Sequence, residues 1–170
     1  MLSMEDRVIF ARKSARIYED KPVEEEKIDR ILHAAMSAPS AKNQQPWEFF
    51  IVKDKMLLKK LAKVTPYSSP AGRAPVVIVS CYRTEGLAAP MFAQIDLAIA
   101  QQNIWLETEA LGLGGVWMGI APIEEFMKAV EEILNIPKNL RAFALFALGY
   151  SRDKHVAVNR YEADRVHVIA

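Results

Sequence analysis

The segment from Pro90 to Leu111 constrains the fold more than any other part of the chain. Pro90 opens it, and Gly112 and Gly114 close it, the punctuation of one long helix. Within it Phe92, Ile95, Leu97, Ala98, Ile99, Ala100, Ile104, Trp105, Leu106 and Leu111 cover most of the circumference. A helix apolar nearly all round needs cover on more than one side. The chain has 170 residues, enough for one domain with a sizeable core. In so small a domain such a helix predicts a partner subunit lying against it. The alternative is a central helix wrapped by its own chain.

The remaining elements follow from periodicity and breakers. Ser3 and Asp6 resemble a capping pair, with a short helix from Met4 to about Ala11. Arg12 to Tyr18 breaks the helical pattern. From Val23 it resumes: Ile28, Ile31, Leu32, Ala35 and Met36 form one stripe, opposite Glu25, Lys27 and Arg30. Pro39 argues against continuation past Ala38. Trp47–Lys53 and Val76–Tyr82 read as buried strands, with a short helix from Lys55 to Val64. Between them VTPYSSPAGRAP carries Pro66, Pro70, Gly72 and Pro75 and reads as irregular. Gly115–Ile120 is a third strand. A helix beginning near Pro122 carries Phe126, Ala129, Val130, Ile133 and Leu134, and Arg141–Gly149 is a fourth strand. The tail ends in RVHVIA, which alternates like an edge strand. Strands and helices mix without regular βαβ crossovers, which predicts an α+β domain with a mixed central sheet flanked by helices.

Composition removes several functional classes. Net charge is +1 with scattered basic residues, unlike a nucleic-acid binder. The lone Cys81 lies in the apolar run VVIVSCY and reads as a small buried hydrophobe. The opening MLSMEDRVIF lacks the apolar core of a signal peptide, and no run approaches the ~20 apolar residues that cross a bilayer. A soluble, cytoplasmic protein is expected. Neither G-x-S-x-G nor G-x-x-x-x-G-K-[ST] occurs. Gly112, Gly114 and Gly115 fail as a dinucleotide fingerprint, because Trp117 takes the third glycine position and the order is helix then strand. His33, His155 and His167 have no metal-ligand spacing, so no metal site is expected.

Two stretches carry more polar chemistry than a core needs. If RKSAR is extended, alternate side chains share one side, and Arg12, Ser14 and Arg16 project together. Two guanidinium forks with a hydroxyl between them suit a phosphate and a second acceptor; a solvated basic loop is the competing reading. APSAKNQQPW, Ala38 to Trp47, crowds amides, hydroxyls and prolines between a helix and a strand. Such a loop is costly to bury and suggests a surface that binds something polar.

RKSARIYEDKPV, a helix and APSAKNQQPWEFFIV together resemble the start of the FMN-dependent nitroreductase family. GLGGVWMGI after the long helix, and ALGY before a tail containing NR, are similar to its later blocks. The resemblance spans about Arg7 to Ile169. It implies a single FMN-binding domain over residues 1–170, an interlocked homodimer, and two FMN sites in the subunit interface. Arg12, Lys13, Ser14 and Arg16 match the first flavin-binding block. Arg12 and Ser14 would hold the phosphate and ribityl end, and Arg16 would act electrostatically near flavin N1 and O2. Pro39, Ser40, Ala41 and Asn43 match a loop reaching the flavin of the other subunit. Met118 and Gly119 match positions whose backbone amides approach flavin N5 and O4. Arg160 matches a tail arginine that meets the phosphate.

The chain departs from the family pattern at Val158, where a basic residue often stands, and at Met118, where many members are acidic. It also lacks a match for an asparagine over the flavin pyrimidine, for which SSPAGR is the candidate replacement. The activity implied is an NAD(P)H-dependent flavin oxidoreductase, with NADH or NADPH as donor and a nitroaromatic, quinone or similar small molecule as acceptor. Hydride chemistry would belong to the flavin, so no catalytic acid, base or nucleophile is expected. Enoate reduction, dehalogenation or flavin destruction on the same fold, and flavin binding without turnover, are the alternatives.

Overall fold

The structure, a computed structural model of the chain, describes residues 8–153 and 159–169. Five α-helices are described: α1 (Val8–Ala11), α2 (Glu25–Met36), α3 (Lys55–Leu61), α4 (Ala93–Ala110) and α5 (Glu124–Leu134). Four strands form one sheet: β1 (Trp47–Val52), β2 (Val76–Arg83), β3 (Gly114–Gly119) and β4 (Leu140–Gly149). The α+β class is as expected. The predicted N-terminal helix keeps only its last turn among the described residues, and Ser3, Asp6, His155 and Val158 lie outside them.

The sheet order is β1-β2-β4-β3, and each neighbouring pair is antiparallel. The expected mixed sheet is therefore corrected among the described residues. The parallel contribution is an isolated bridge between Ser14 and Gly115. The edge strand expected in RVHVIA is corrected too. Val166 to Ile169 adopts no regular structure, and Val168 and Ile169 are 87% and 98% exposed. Alternation alone does not make a strand; it needs a neighbour whose backbone groups it can pair.

Alternation along the central strands sorts the core into two layers. Val77, Val79 and Cys81 of β2, with Leu145 and Ala147 of β4, face a cluster that includes Leu58 and Leu61 of α3 and Met127 and Val130 of α5. Val76 and Ile78, with Phe146 and Leu148, face Ile28, Ile31 and Ala35 of α2 and Ile104 of α4. Fully burying one such side chain contributes about 1.5–3 kcal/mol, so both layers are needed to offset chain entropy. Register slips between Ser80 and Cys81, where β4 carries an extra residue, Phe143. Phe143 and Ala144 consequently share one face, beside Leu97 and Ala100. The freed Phe143 carbonyl accepts from the N–H groups of Ile120 and Ala121, at 3.2 and 2.9 Å. That pairing draws the chain away from the sheet just past Gly119.

Local chemistry sets the helix ends. Asp54 accepts from the N–H groups of Met56 and Leu57, at 2.9 and 2.8 Å, and so caps α3. That helix stops at Leu61, and the proline-rich stretch after it contains a 3₁₀ turn at Ser69–Gly72. Asn135 ends α5 in the left-handed conformation. The α2 stripe is placed as read except that Met36 is exposed, while in α5 Val130 is buried as read but so is Met127, which lies outside the predicted stripe. Among the described residues no helix is long and apolar enough to cross a membrane.

Candidate functional site

The site is assembled around β3. Segment 12–18 crosses the start of this edge strand, with Ser14 bridging Gly115 and Ala15 N–H donating to the Gly115 carbonyl at 2.9 Å. Side chains alternate as extended backbone requires: Ala15 is buried, Ser14 and Arg16 are not. The approach is close because position 114 is glycine. A Cβ there would lie 2.7 Å from Ala15 Cβ and 2.7 Å from Ser151 Cβ, inside any tolerated contact.

Arg12 lies over the indole of Trp105, 4.1 Å from the ring centroid. The same indole donates its Nε1–H to the Lys13 carbonyl at 2.9 Å and meets Phe146 edge-on at 5.9 Å. One α4 side chain thus fixes both the Arg12 guanidinium and the backbone that carries it. The tail brings Arg160 close enough to act on Arg12. Partial burial, then repulsion by Arg160, holds the Arg12 pKa below its ordinary value, opposed more weakly by Glu109. No carboxylate among the described residues forms a salt bridge with Arg12, Arg16 or Arg160. Two guanidiniums that repel each other, with no ion-pair partner among the described residues, fit a dianionic phosphate, whose arrival would turn their repulsion into shared attraction.

Arg16 points elsewhere. Its backbone N–H and that of Ile17 donate to Asp153 Oδ2, at 2.6 and 3.3 Å. Its Nη1–H donates to the Ser14 carbonyl at 3.3 Å. Arg16 and Arg73 both act electrostatically on Tyr18, whose hydroxyl burial pushes far up its pKa. Arg73 belongs to the SSPAGR stretch, which therefore comes to the Arg16 side of the site. Arg73 and Tyr18 also line a cleft of about 500 Å³ with Lys21, Lys53 and Lys59. The expected joint projection of Arg12 and Arg16 is thus resolved into two ends, Arg12 with Arg160 and Arg16 with Tyr18 and Arg73.

At the other end of β3, Met118 is buried in the core and has only its backbone to offer. A Cβ on Gly119 would meet nothing within 4 Å, so this rim is open. Beyond Gly115 no strand among the described residues covers the outer edge of β3, which leaves outward backbone groups available to a ligand.

The loop after α2 is a second built surface. Pro39, Lys42, Asn43 and Gln45 are exposed, while Ser40 and Ala41 are partly covered. Lys42, Asn43 and Gln45 all have left-handed backbone, with φ of 50°, 53° and 45°. Each non-glycine residue there costs on the order of 1 kcal/mol, so the surroundings must hold the loop in place. Ser40 helps, its Oγ accepting the Gln45 N–H at 3.0 Å. Asp96, Gln44 and Arg83 hold it from beneath; Gln44 lies in the polar stretch read from sequence, whereas Asp96, Arg83 and Trp105 lie outside the motifs read there. The one carboxylate in the apolar first half of α4 was the available signal for Asp96.

Comparison with known proteins agrees with this architecture. The nitroreductase family model matches residues 9–67 and 64–150. A protein of Archaeoglobus fulgidus, provisionally named NADH dehydrogenase/NAD(P)H nitroreductase, is 40% identical over 166 residues, covering 95% of each chain. A Clostridium acetobutylicum crystal structure, provisionally named NADH oxidase, superposes with a TM-score of 0.92 at 39% identity and covers 95% of this chain and 98% of its own. The solved FMN-dependent nitroreductase of Clostridium difficile gives 0.88 at 30% identity, over 95% and 96% of the two chains. With the sheet, the arginine-bearing segment and the polar loop matched across nearly its whole length, this chain belongs to the nitroreductase family.

Proposed function

We propose that the protein is an NAD(P)H-dependent flavin oxidoreductase that holds FMN and reduces small acceptors such as nitroaromatics or quinones. Arg12, Arg160 and Ser14 take the phosphate, and the carrying observation is that Arg160 acts electrostatically on Arg12 while neither forms a salt bridge with a carboxylate among the described residues. Lys13 adds positive charge on the same segment. Arg16 places a fixed cation where negative charge gathers on the ring system, and the open rim at Met118 and Gly119 offers backbone groups to its edge. FMN, when bound, supplies the hydride-transfer chemistry, which agrees with the lack of a nucleophile or acid–base pair in the sequence. The chain orients that group and its partners. Donor and acceptor use one cleft in turn, a ping-pong order. The relatives named for FMN and for NAD(P)H support this assignment.

The working unit is a homodimer. Support comes from α4, where Ile95 and Ile99 are 55% and 37% exposed beside the exposed Met91 and Phe92. An apolar surface of this kind is ordinarily covered. In the pair, Pro39, Ser40, Ala41 and Asn43 serve the flavin of the other subunit.

The test is the visible spectrum of purified protein after FMN addition, then after anaerobic NADH or NADPH. Flavin bound tightly and bleached by the nicotinamide, with colour returning on addition of a nitroaromatic or quinone, is the expected result. Protein with no affinity for FMN would overturn the reading. Arg16→Ala is expected to lower the flavin potential while retaining FMN better than Arg12→Ala, by spectroelectrochemistry and equilibrium binding.

A further inference from the structure

We propose that Asp96, acting through Gln44, is the positioning residue that sets the Ser40–Gln45 loop in its ligand-binding conformation; this rests on the FMN reading above. Asp96 lies in α4, 2% exposed, yet it forms no salt bridge among the described residues. Both its oxygens are aimed at the loop. Oδ1 accepts the Ala41 N–H at 2.9 Å, and Oδ2 accepts from Gln44 Nε2 at 2.7 Å. Gln44 closes the clamp on the far side. Its Nε2 also donates to the Ala89 carbonyl at 2.9 Å, and its Oε1 accepts the Ala89 N–H at 2.8 Å. Arg83 adds a third point, Nη2 donating to the carbonyls of Gln44 and Gln45 at 3.0 and 2.9 Å.

The pattern of donors and acceptors makes the acid specific. Asp96 must accept twice, from a backbone N–H that cannot rotate and from an amide that cannot flip. Turning the Gln44 amide over would set its N–H₂ against the Ala89 N–H and its oxygen against the Ala89 carbonyl. An asparagine at position 96 offers one acceptor and one donor, so one of the two contacts becomes donor against donor. The clamp spans Ala41 to Gln45, the stretch that contains the left-handed Lys42, Asn43 and Gln45. Without it, the backbone has a local reason to relax toward negative φ, carrying Asn43 and Ser40 with it. A buried carboxylate whose hydrogen bonds all go to one exposed, strained loop is placed to fix that loop rather than to bind a ligand itself.

The experiment measures equilibrium dissociation constants for FMN and for riboflavin by flavin fluorescence, with thermal unfolding of the ligand-free protein alongside. Riboflavin lacks the phosphate, so it isolates the end of the ligand that the loop serves. Asp96→Asn is expected to weaken both ligands by a similar factor, about tenfold or more. Arg12→Ala should weaken FMN and leave riboflavin nearly unchanged. Should Asp96→Asn fail to fold, Gln44→Ala at the half-buried loop position is read the same way. Wild-type affinity in Asp96→Asn or Gln44→Ala would overturn the proposal, as would a loss confined to FMN. A wild-type protein that binds neither flavin would instead sink the functional reading on which it rests.

Discussion

Helices α4 and α5 pack on opposite faces of the same sheet and follow different rules. α5 buries Met127 and Val130 and turns Glu125, Lys128 and Glu132 to solvent. α4 buries Asp96, Gln101 and Thr108 among its apolar residues and exposes Ile95 and Ile99. Each of its inward polar side chains is anchored by a hydrogen bond: Gln101 Oε1 accepts from the Ser80 hydroxyl at 2.7 Å, although Gln101 Nε2 has no partner among the described residues, and Thr108 Oγ1 donates to the Ile104 carbonyl at 2.7 Å. One helix is a structural cover. The other holds Arg12 through Trp105, holds the polar loop through Asp96, and leaves an apolar surface outward. A helix that departs from the usual inside–outside rule on both faces marks the functional side of this molecule.

Charges on the outer face of α4 should break the comparison most forcefully. Ile95→Glu with Ile99→Glu is expected to weaken self-association roughly a thousandfold or more and to abolish FMN binding with it. Exchanging charges on α5, Glu125→Lys with Lys128→Glu, should leave both unchanged. Sedimentation velocity reads the outcome, and a persistent dimer in the α4 variant would remove that face from the interface. Next in size is Met127→Ala under α5. It should cost about 2–5 kcal/mol of stability by denaturant unfolding while the folded fraction binds FMN as tightly as wild type. Weakened binding there would show that α5 reaches the site after all.

A smaller effect belongs to pH and to the α5 layer. Burial above all, with Glu131 and Glu48 adding, pushes the Cys81 thiol up to about 12. A raised folded pKa gives a contribution fully present below the unfolded value near 8.5 and lost as pH climbs toward 12. Stability should therefore fall by roughly 1–2 kcal/mol between pH 8 and 10, and Cys81→Ala should flatten that slope. The same slope in the variant would assign it to another group. Smallest is a stoichiometric effect. Dimers mixed from Arg12→Ala and Asn43→Ala chains should regain about one of two FMN sites, measured by bound flavin per dimer. Mixed dimers with no better binding than the parents would place the loop and the arginines in the same subunit's site.

Much of the fold was legible because burial and periodicity coincide. In α2, Ile28, Ile31 and Ala35 are buried as their spacing requires, and the two central strands are runs with no solvent face. In α5 the stripe was read slightly off: Val130 is buried as its spacing requires, but Met127 shares the centre, and the apolar Phe126 and Ala129 are only partly covered. Sheet direction was illegible for a different reason: parallel or antiparallel pairing depends on contacts between distant segments, to which local alternation is indifferent. In the site, Arg12, Ser14 and Arg16 could be found because charge in an extended break has no structural purpose. The convergence of Arg160 on Arg12 could not, because more than a hundred residues separate them. Trp105 and Asp96 were hidden by their helix, where an aromatic looked like core and one acid looked like solvent.

The extra residue in β4 has a bearing on how this chain can vary. Phe143 and Ala144 lie on the same face, and the Phe143 carbonyl holds the N–H groups of Ile120 and Ala121. Taking one residue out at that point would send Leu140 and Ala142 to the wrong layer and free the turn that follows Gly119. A change of length at this point is closed to the protein, whatever side chains its buried positions can exchange.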